Sequence, residues 1–234
     1  KLKDCTTLVG CIDDDITLNP YAVKEMVEFW NNAPINTAGV GFNNITENSY
    51  KPNIFQRLLL LDHSKPGRVL RSGATSSISN LKENISCQWL TGGMSVWRQD
   101  ILVTNQHKEI NTKWAIGEDL IFSYPIGKQL PLFVCSKTTV KHNHYPYNNE
   151  DYKWHYFYGK TQTIWVFHFV ESNNELSEIL FICTVLAKIL GKFTFGILSR
   201  RKNYIAFSLG ATAAILKIIM HKLARSSKKD IREE

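Results

Sequence analysis

The chain has 234 residues, of which 44% are hydrophobic, 12% aromatic and 21% charged. This composition can fill one substantial core, and it excludes an intrinsically disordered chain, which would combine low hydrophobicity with high net charge. The net charge of +7 is concentrated at the end: from Lys188 to Glu234, eleven Lys and Arg oppose three Asp and Glu. Because these basic residues are set among Leu, Ile, Phe and Ala, they suit an anionic membrane surface better than nucleic acid. We therefore expect no nucleic-acid partner.

Short apolar strands alternate with helical segments over the first 150 residues. The pattern predicts, in chain order, a strand at Thr6–Ile12, a helix from Asn19-Pro20, strands within 38–42 and 85–90, a helix opening at Gly117 and interrupted at Pro125, and a strand within 130–144. From Tyr152 onward the pattern is helical. Strands that alternate with helices are typical of an α/β domain with a largely parallel sheet.

Three consecutive carboxylates, Asp13, Asp14 and Asp15, directly follow the first predicted strand. In open α/β folds ligands bind at the carboxyl ends of the strands. In an extended chain Asp13 and Asp15 point to the same side, where a hard divalent cation such as Mg²⁺ or Mn²⁺ would relieve their repulsion. The alternative is a solvated acidic turn before a helix, since Asp is favoured at helix N-termini. The triplet alone does not decide between the two interpretations.

Two further acids, Glu118 and Asp119, begin the helix predicted after Gly117. A carboxylate at a helix N-terminus beside a cleft can act as a general base. The same pair can equally serve only to complement the helix dipole. Which of the two roles this acidic pair has therefore depends on the residues around it.

Two other features are candidates for the same site. The Gly92-Gly93 pair would let the backbone approach a bulky ligand closely. Either His142 or His144 could offer a neutral imidazole to a metal ion, although a lone histidine is more often structural or solvent-exposed. It is the order and separation of these motifs that favour a shared function.

In that order, the motifs resemble those of the family 2 glycosyltransferases, which are inverting enzymes of the GT-A fold. The stretches that carry the resemblance are DDD at 13–15, WLTGGMSVWRQDIL at 89–102, GEDLIFSYPI at 117–126 and the late histidines. The resemblance covers about residues 5–170. It implies a mixed, mostly parallel sheet flanked by helices, and transfer of a hexosyl-type sugar from a nucleotide-diphosphate donor to a hydroxyl acceptor.

The resemblance also implies a role for each motif residue. Asp119 would be the base that deprotonates the acceptor hydroxyl. The donor and its divalent metal, Mn²⁺ or Mg²⁺, would be held at the acidic triplet. The full set of implied assignments is Asp13, Asp14, Asp15, Gly92 and Gly93 for the donor, Asp13, Asp15 and His142 for the metal, and Glu118, Trp89 and Arg98 for acceptor binding or support.

The position of the triplet departs from the family pattern. Family members carry a nucleotide-binding half before the acidic motif, and here that motif arrives at residue 13. We therefore expect residues 1–150 to be the C-terminal catalytic portion of a GT-A domain. Residues 151–234 would form a helical, basic-amphipathic tail.

The tail contains two long apolar runs, at 176–198 and 204–220, and charged residues interrupt the first. We expect these helices to pack on the catalytic domain or to lie in a membrane interface, with a single membrane span as the alternative. The resemblance implies a cytoplasmic protein, peripheral at the inner face of the membrane. Its acceptor would be a glycan or a lipid-linked molecule, in the synthesis of surface polysaccharide or glycolipid.

Two other classes of function stay open on the sequence. A nucleotidyltransferase acting on sugar phosphates would also use an acidic metal-binding motif. A non-catalytic membrane-associated module would leave the same acids merely solvated.

Overall fold

The computed structural model of the protein describes residues 7–46, 51–106, 116–143 and 151–230, the last six of these as backbone only. The chain divides into two compact units. The first unit is built from Lys1–Leu70, Ala74–Glu109 and Gly117–Tyr145, and the second from Arg71–Gly73, Ile110–Ile116 and Pro146–Glu234.

The first unit is built on a mixed sheet. Its strands are β1 (Leu8–Ile12), β2 (Ile16–Leu18), β3 (Gly39–Asn44), β4 (Ile85–Cys87), β5 (Met94–Arg98) and β6 (Leu132–His142). The strand order is β1-β5-β3-β6-β2, with β4 also paired to β6. Only the β3–β6 pairing is parallel among the strands that the structure describes.

The prediction of a mixed α/β sheet is confirmed, but the prediction that it is mostly parallel is wrong. Strands β1, β3 and β6 do run in the same direction, as the helical connections of α/β proteins require. Strand β5, however, lies between β1 and β3 and runs in the opposite direction. Neighbouring strands are therefore mostly antiparallel.

Helices cover both faces of this sheet. The described helices of this unit are α1 (Ala22–Asn32), α2 (Ile54–Leu58), α3 (Gln99–Thr104) and α4 (Glu118–Gly127), of which α1 and α4 pack on the sheet. On one face Met26 and Trp30 of α1 pack with Val40 and Phe42 of β3. On the other face the core includes Phe122 of α4, with side chains of β5 and β6.

Two helix boundaries differ from the sequence prediction. The α1 helix begins at Ala22 rather than at Asn19-Pro20, because the Asn19 side chain accepts from the Tyr21 N–H in a turn that precedes the helix. The α4 helix continues through Pro125, where an interruption was expected. Its predicted start is confirmed: Gly117 caps the helix with φ +98°, a left-handed conformation that glycine adopts most readily.

The α4 helix is held close to the segment that leads into β5. The buried Ser123 hydroxyl accepts from the Leu90 N–H at 3.0 Å. One turn further on, a Cβ on Gly127 would lie 2.6 Å from the Gln88 carbonyl oxygen, so only glycine allows this approach. These contacts fix the first turn of α4 relative to the Gly92-Gly93 turn.

The second unit is a bundle of three helices, which confirms the helical prediction for the tail. They are α5 (Tyr152–Glu171), α6 (Glu178–Leu198) and α7 (Lys202–Asp230). Helices α5 and α7 approach very closely: a Cβ on Gly210 would lie 1.9 Å from the Tyr156 carbonyl oxygen, and one on Gly159 would lie 2.3 Å from that of Phe207. Small residues at such a crossing allow backbone-to-backbone packing.

Two helical segments of the second unit, Glu178–Leu198 and Lys202–Ala224, are long and apolar enough to cross a membrane. This judgement rests on length and composition alone, and a core helix of a soluble protein would meet the same criterion. The segments are weakly compatible with membrane association.

Candidate functional site

The acidic triplet lies at the edge of the sheet where β1 and β6 end and β5 begins. Ile12, the last residue of β1, is paired with Met94, the first residue of β5. Ile16, which follows the triplet, is paired with His142, the last residue of β6. Strand direction and register therefore bring the triplet, the Gly92-Gly93 turn and His142 to the same edge.

The link between β1 and β2 forces the sheet to curl. These strands lie at opposite ends of the strand order, yet only residues 13–15 connect them. In a flat sheet, four strand spacings would separate them by about 19 Å, whereas the four steps from Ile12 to Ile16 span at most about 14 Å. The Ile16 N–H also donates to the Asp13 carbonyl at 3.2 Å, which closes the link into a turn. Asp13 and Asp15 therefore sit in a turn, and not in the extended chain expected from the sequence.

Asp13 is held against Gly93. The Asp13 N–H donates to the Gly93 carbonyl at 3.0 Å, and a Cβ built on Gly93 would lie 1.9 Å from Oδ2 of Asp13. The carboxylate thus occupies the space that any side chain at position 93 would need. The glycine is required here for the close approach of Asp13, whereas the sequence predicted that it lets the backbone approach a ligand.

Asp15 is held by the end of β6. Its Oδ2 lies 2.9 Å from Nε2 of His142, and its carbonyl accepts from the Asn143 N–H at 2.8 Å. Its other carboxylate oxygen, Oδ1, is buried and has no hydrogen-bond partner among residues 7–46, 51–106, 116–143 and 151–224. A buried carboxylate oxygen without a partner is energetically unfavourable unless a cation or donor reaches it.

Asp119 lies at the start of α4, against the other half of the glycine turn. A Cβ on Gly92 would make ordinary contact, 3.4 Å, with Cβ of Asp119. The carboxylate accepts from the N–H groups of Leu120, at 2.7 Å, and of Gly92. Burial, opposed by these hydrogen bonds and supported by the nearby Glu118 charge, raises the pKa of Asp119 to about 6. An acid of this kind is a candidate general base near neutral pH.

The Gly92-Gly93 turn therefore contacts both acids, Asp119 through its first residue and Asp13 through its second. The two residues are adjacent in the chain, so the carboxylates lie within one short stretch of the sheet edge. This is the juxtaposition that the order of the sequence motifs predicted.

The predicted metal ligands are only partly brought together. Among the residues that the structure describes, no group of three or more His, Cys, Asp or Glu side chains is arranged to hold a metal ion. Asp15 and His142 contact each other, whereas Asp13 lies against Gly93. A cage made of protein ligands alone is not formed.

Arg98 is not brought to the site. It is paired with Leu8 at the start of β1, so it lies at the opposite edge of the sheet, where its guanidinium makes an ion pair with Asp100. The expectation that it neighbours the donor or acceptor is wrong, because β5 runs away from the site. Four residue steps along β5 separate Arg98 from Met94 by about 13 Å.

Three other predicted site residues differ in how far they are exposed to solvent. Asp14 is exposed in the turn, and Glu118 is partly exposed at the start of α4. Trp89 packs against the core beside α4, and its indole N–H is buried without a hydrogen-bond partner. His144 lies outside the described residues.

Sequence reasoning missed Ser123, which ties α4 to the segment before the glycine turn. A possible signal was a lone serine in the apolar run LIFSYPI, followed four residues later by Gly127. A small polar residue on a buried helix face indicates a specific hydrogen bond.

In comparisons with known proteins, no family model matches the chain and no curated protein is similar to it. A functional assignment therefore depends on the arrangement of residues in the first unit. The motif order remains an expectation drawn from the sequence.

We predict that Asp119→Asn changes how stability depends on pH. The rise in pKa from 3.8 to about 6 means that the folded state binds this proton more tightly than the unfolded state. The free energy of unfolding of the wild type should therefore fall, by about 3 kcal/mol from this group, as pH rises through that range. The Asn variant lacks this fall. In urea unfolding, its free energy of unfolding should therefore rise relative to that of the wild type from about pH 4 to about pH 7.

Ser123→Ala is the matched control, because it alters the same helix without removing a titrating group. The difference in free energy of unfolding between Ser123→Ala and the wild type should stay constant with pH. Parallel pH profiles for Asp119→Asn and the wild type would contradict the assignment of a buried, destabilised carboxylate.

Proposed function

We propose that the protein is a metal-dependent inverting glycosyltransferase that transfers a sugar from a nucleotide-diphosphate donor to a hydroxyl acceptor. One observation carries the proposal: Asp13 and Asp119 contact successive residues of the same glycine turn. This arrangement supports a metal-diphosphate group on one side of the turn and an acceptor hydroxyl on the other. The GT-A fold, supported so far only by a mixed sheet flanked by helices, is part of the proposal.

Asp119 is the proposed catalytic base. With a pKa of about 6 it is mostly ionised at neutral pH, yet it is more basic than an ordinary aspartate. It would take the proton of the acceptor hydroxyl as the oxygen attacks the anomeric carbon. Because one base and one direct displacement suffice, the configuration at that carbon is inverted. Most retaining glycoside hydrolases, in contrast, use a second carboxylate as nucleophile.

The carboxylate oxygens at the triplet fit a divalent cation that phosphate groups also coordinate. Mg²⁺ is commonly held by one or two carboxylates together with substrate phosphates and water, so a complete cage of protein ligands is not needed. Within the described residues Asp15 offers a buried Oδ1 without a hydrogen-bond partner, and Asp13 lies two residues earlier in the same turn. When bound, such a cation would stabilise the negative charge of the leaving diphosphate.

His142 would then act mainly through Asp15 and not as a ligand of its own. Its Nε2 contacts Oδ2 of that carboxylate, which leaves Oδ1 for the cation. Hydrogen bonds of this kind orient carboxylate ligands in metal sites. The proposal therefore assigns His142 a positioning role.

The acceptor is proposed to be a glycan or lipid-linked molecule at the cytoplasmic face of a membrane. Support comes from the two apolar helical segments of the second unit and from the basic residues among them. This location suits the synthesis of surface polysaccharide or glycolipid.

The direct test is a screen of nucleotide sugars with the complete protein in the presence of Mn²⁺ or Mg²⁺, with release of nucleoside diphosphate as the readout. We expect Asp119→Asn to reduce kcat by roughly 100-fold or more, because general-base catalysis of this kind contributes about 10²–10⁴-fold. Arg98→Gln is the matched control, since Arg98 lies at the far edge of the sheet. It should keep the wild-type rate.

Each other outcome of the screen has a distinct meaning. Release of pyrophosphate from a nucleoside triphosphate and a sugar phosphate would replace the proposal with a nucleotidyltransferase. Turnover of a nucleotide sugar by Asp119→Asn at the wild-type rate would overturn the assignment of the base. No turnover of any donor by the wild type would favour a non-catalytic module.

We also predict that the two glycines of the turn respond differently to alanine. Gly93→Ala places a methyl group where the Asp13 carboxylate now lies and must displace it, whereas the added methyl of Gly92→Ala meets only ordinary contact. Because displacement of a positioned group by about 1 Å can cost roughly 100-fold, kcat/KM should fall between tenfold and a hundredfold for Gly93→Ala. Gly92→Ala should stay close to the wild type.

Gly10→Ala on β1 provides a further control, since its Cβ would meet nothing closer than 4.0 Å. Steady-state kinetics with the donor found in the screen give the comparison. Equal losses for Gly92→Ala and Gly93→Ala would show that the contact with Asp13 has no part in donor binding.

A further inference from the structure

The second unit contains a cavity of about 380 Å³ that is bordered by α5, α6 and α7. Its size lies in the range typical of small-ligand sites. Part of its wall is aromatic: Trp154 and Tyr158 of α5 stack at 5.0 Å between ring centroids, and Phe207 of α7 lies near Tyr158. We call it the lysine cavity, after the two lysines described next.

Lys188 and Lys192, one turn apart on α6, both line the cavity. The Lys188 ammonium lies 3.0 Å from Oε1 of Gln162 and 5.1 Å from the centroid of the Phe207 ring. The Lys192 ammonium lies 4.5 Å from the same centroid and 5.0 Å from that of Tyr204. Both positive charges therefore converge on one aromatic ring.

Among the residues that the structure describes, no acidic side chain lines the cavity to balance these charges. Within the described residues neither lysine makes an ion pair, and Lys222, further along α7, is the lysine that pairs with Glu178. The Asp151 carboxylate, which precedes α5, accepts from the Trp154 N–H as the cap of that helix. Interaction with aromatic rings stabilises an ammonium group but does not neutralise it.

Two further observations indicate that the cavity is electrostatically incomplete. Burial, and then the charge of Lys192, lowers the pKa of Lys188 to about 8. His155 also lines the cavity, and its buried Nε2 has no hydrogen-bond partner within the described part of the chain. A group that accepts hydrogen bonds and carries negative charge would satisfy all three side chains.

We propose that the lysine cavity binds a phosphate-bearing group, either a diphosphate or a phosphate monoester, between Lys188 and Lys192. Two ammonium groups match the double negative charge of such a group, and lysine binds phosphate as a point charge. The aromatic wall would contact the apolar or ring portion that carries the phosphate. The ligand could be soluble or could be the headgroup of a phospholipid, and both present the same chemistry. This proposal does not depend on the glycosyltransferase assignment.

The test measures binding of two probes to the purified protein. Inorganic pyrophosphate is titrated by calorimetry in the presence of EDTA, which removes the divalent cations that the acidic triplet would need to bind diphosphate. Vesicles of phosphatidylcholine with phosphatidic acid are compared with vesicles of phosphatidylcholine alone by co-sedimentation. Saturable binding of pyrophosphate indicates a soluble ligand, and binding of only the phosphatidic acid vesicles indicates a lipid headgroup.

The variants Lys188→Gln and Lys192→Gln should each weaken binding of the probe by roughly tenfold or more, as expected for loss of a charged hydrogen bond. Lys188→Arg, which keeps the charge, should bind within a few-fold of the wild type. Lys217→Gln on the exposed side of α7 removes the same charge and should have no effect. Circular dichroism confirms that each variant keeps its helices, and a variant that unfolds is replaced in the comparison by the other lysine.

The proposal is overturned if the wild type binds neither probe saturably, or if the two glutamine variants bind as the wild type does. It is equally overturned if Lys217→Gln weakens binding as much as Lys188→Gln, since the attraction would then be a general effect of net charge. Loss of nucleotide-sugar turnover leaves it standing, because neither probe requires catalysis.

Discussion

The three-residue link between β1 and β2 is the constraint on which the candidate site depends. It is too short to join the two ends of a flat sheet, so the sheet curls until those ends meet. The acidic triplet is the point of closure, with Asp13 against the start of β5 and Asp15 against the end of β6. Backbone pairing thus holds three adjacent carboxylates together despite their repulsion, and within the described residues Oδ1 of Asp15 is left without a hydrogen-bond partner.

The second half of the site, Asp119 at the start of α4, lowers the stability of the fold. Burial makes the ionised form of Asp119 unfavourable, and N–H groups of the glycine turn and of α4 offset only part of that effect. The Ser123 hydroxyl and the close approach at Gly127 hold the helix where this carboxylate must lie. Shifted pKa values are common in groups that take part in catalysis, because a base whose pKa lies near neutral pH accepts protons better than an ordinary aspartate does. The raised pKa and the contact with Gly92 are the observations on which the proposed role of Asp119 as a base rests.

The parts of this structure that could be predicted from sequence are those set by local forces. Hydrophobic patterning predicted β6 and the helical character of the second unit, and Gly117 predicted the start of α4. Strand neighbours depend on contacts between distant residues, so the insertion of β5 between β1 and β3 was missed. Arg98 was misplaced for the same reason, because its position follows from the direction of β5. The pairing of His142 with Asp15 also needed the register of β6 and β2, which no local pattern contains.

The central claim is that the acidic triplet and Asp119 border one site at the glycine turn. A crystal structure of the protein soaked with Mn²⁺ and a nucleoside diphosphate, with data collected at a wavelength where manganese scatters anomalously, tests it most directly. The account predicts a manganese peak in coordination contact with Oδ1 of Asp15, phosphate oxygens on its open side, and the Asp119 carboxylate facing the same space across Gly92 and Gly93. A manganese ion bound elsewhere on the chain, or Asp119 separated from the nucleotide by the body of the sheet, would contradict it.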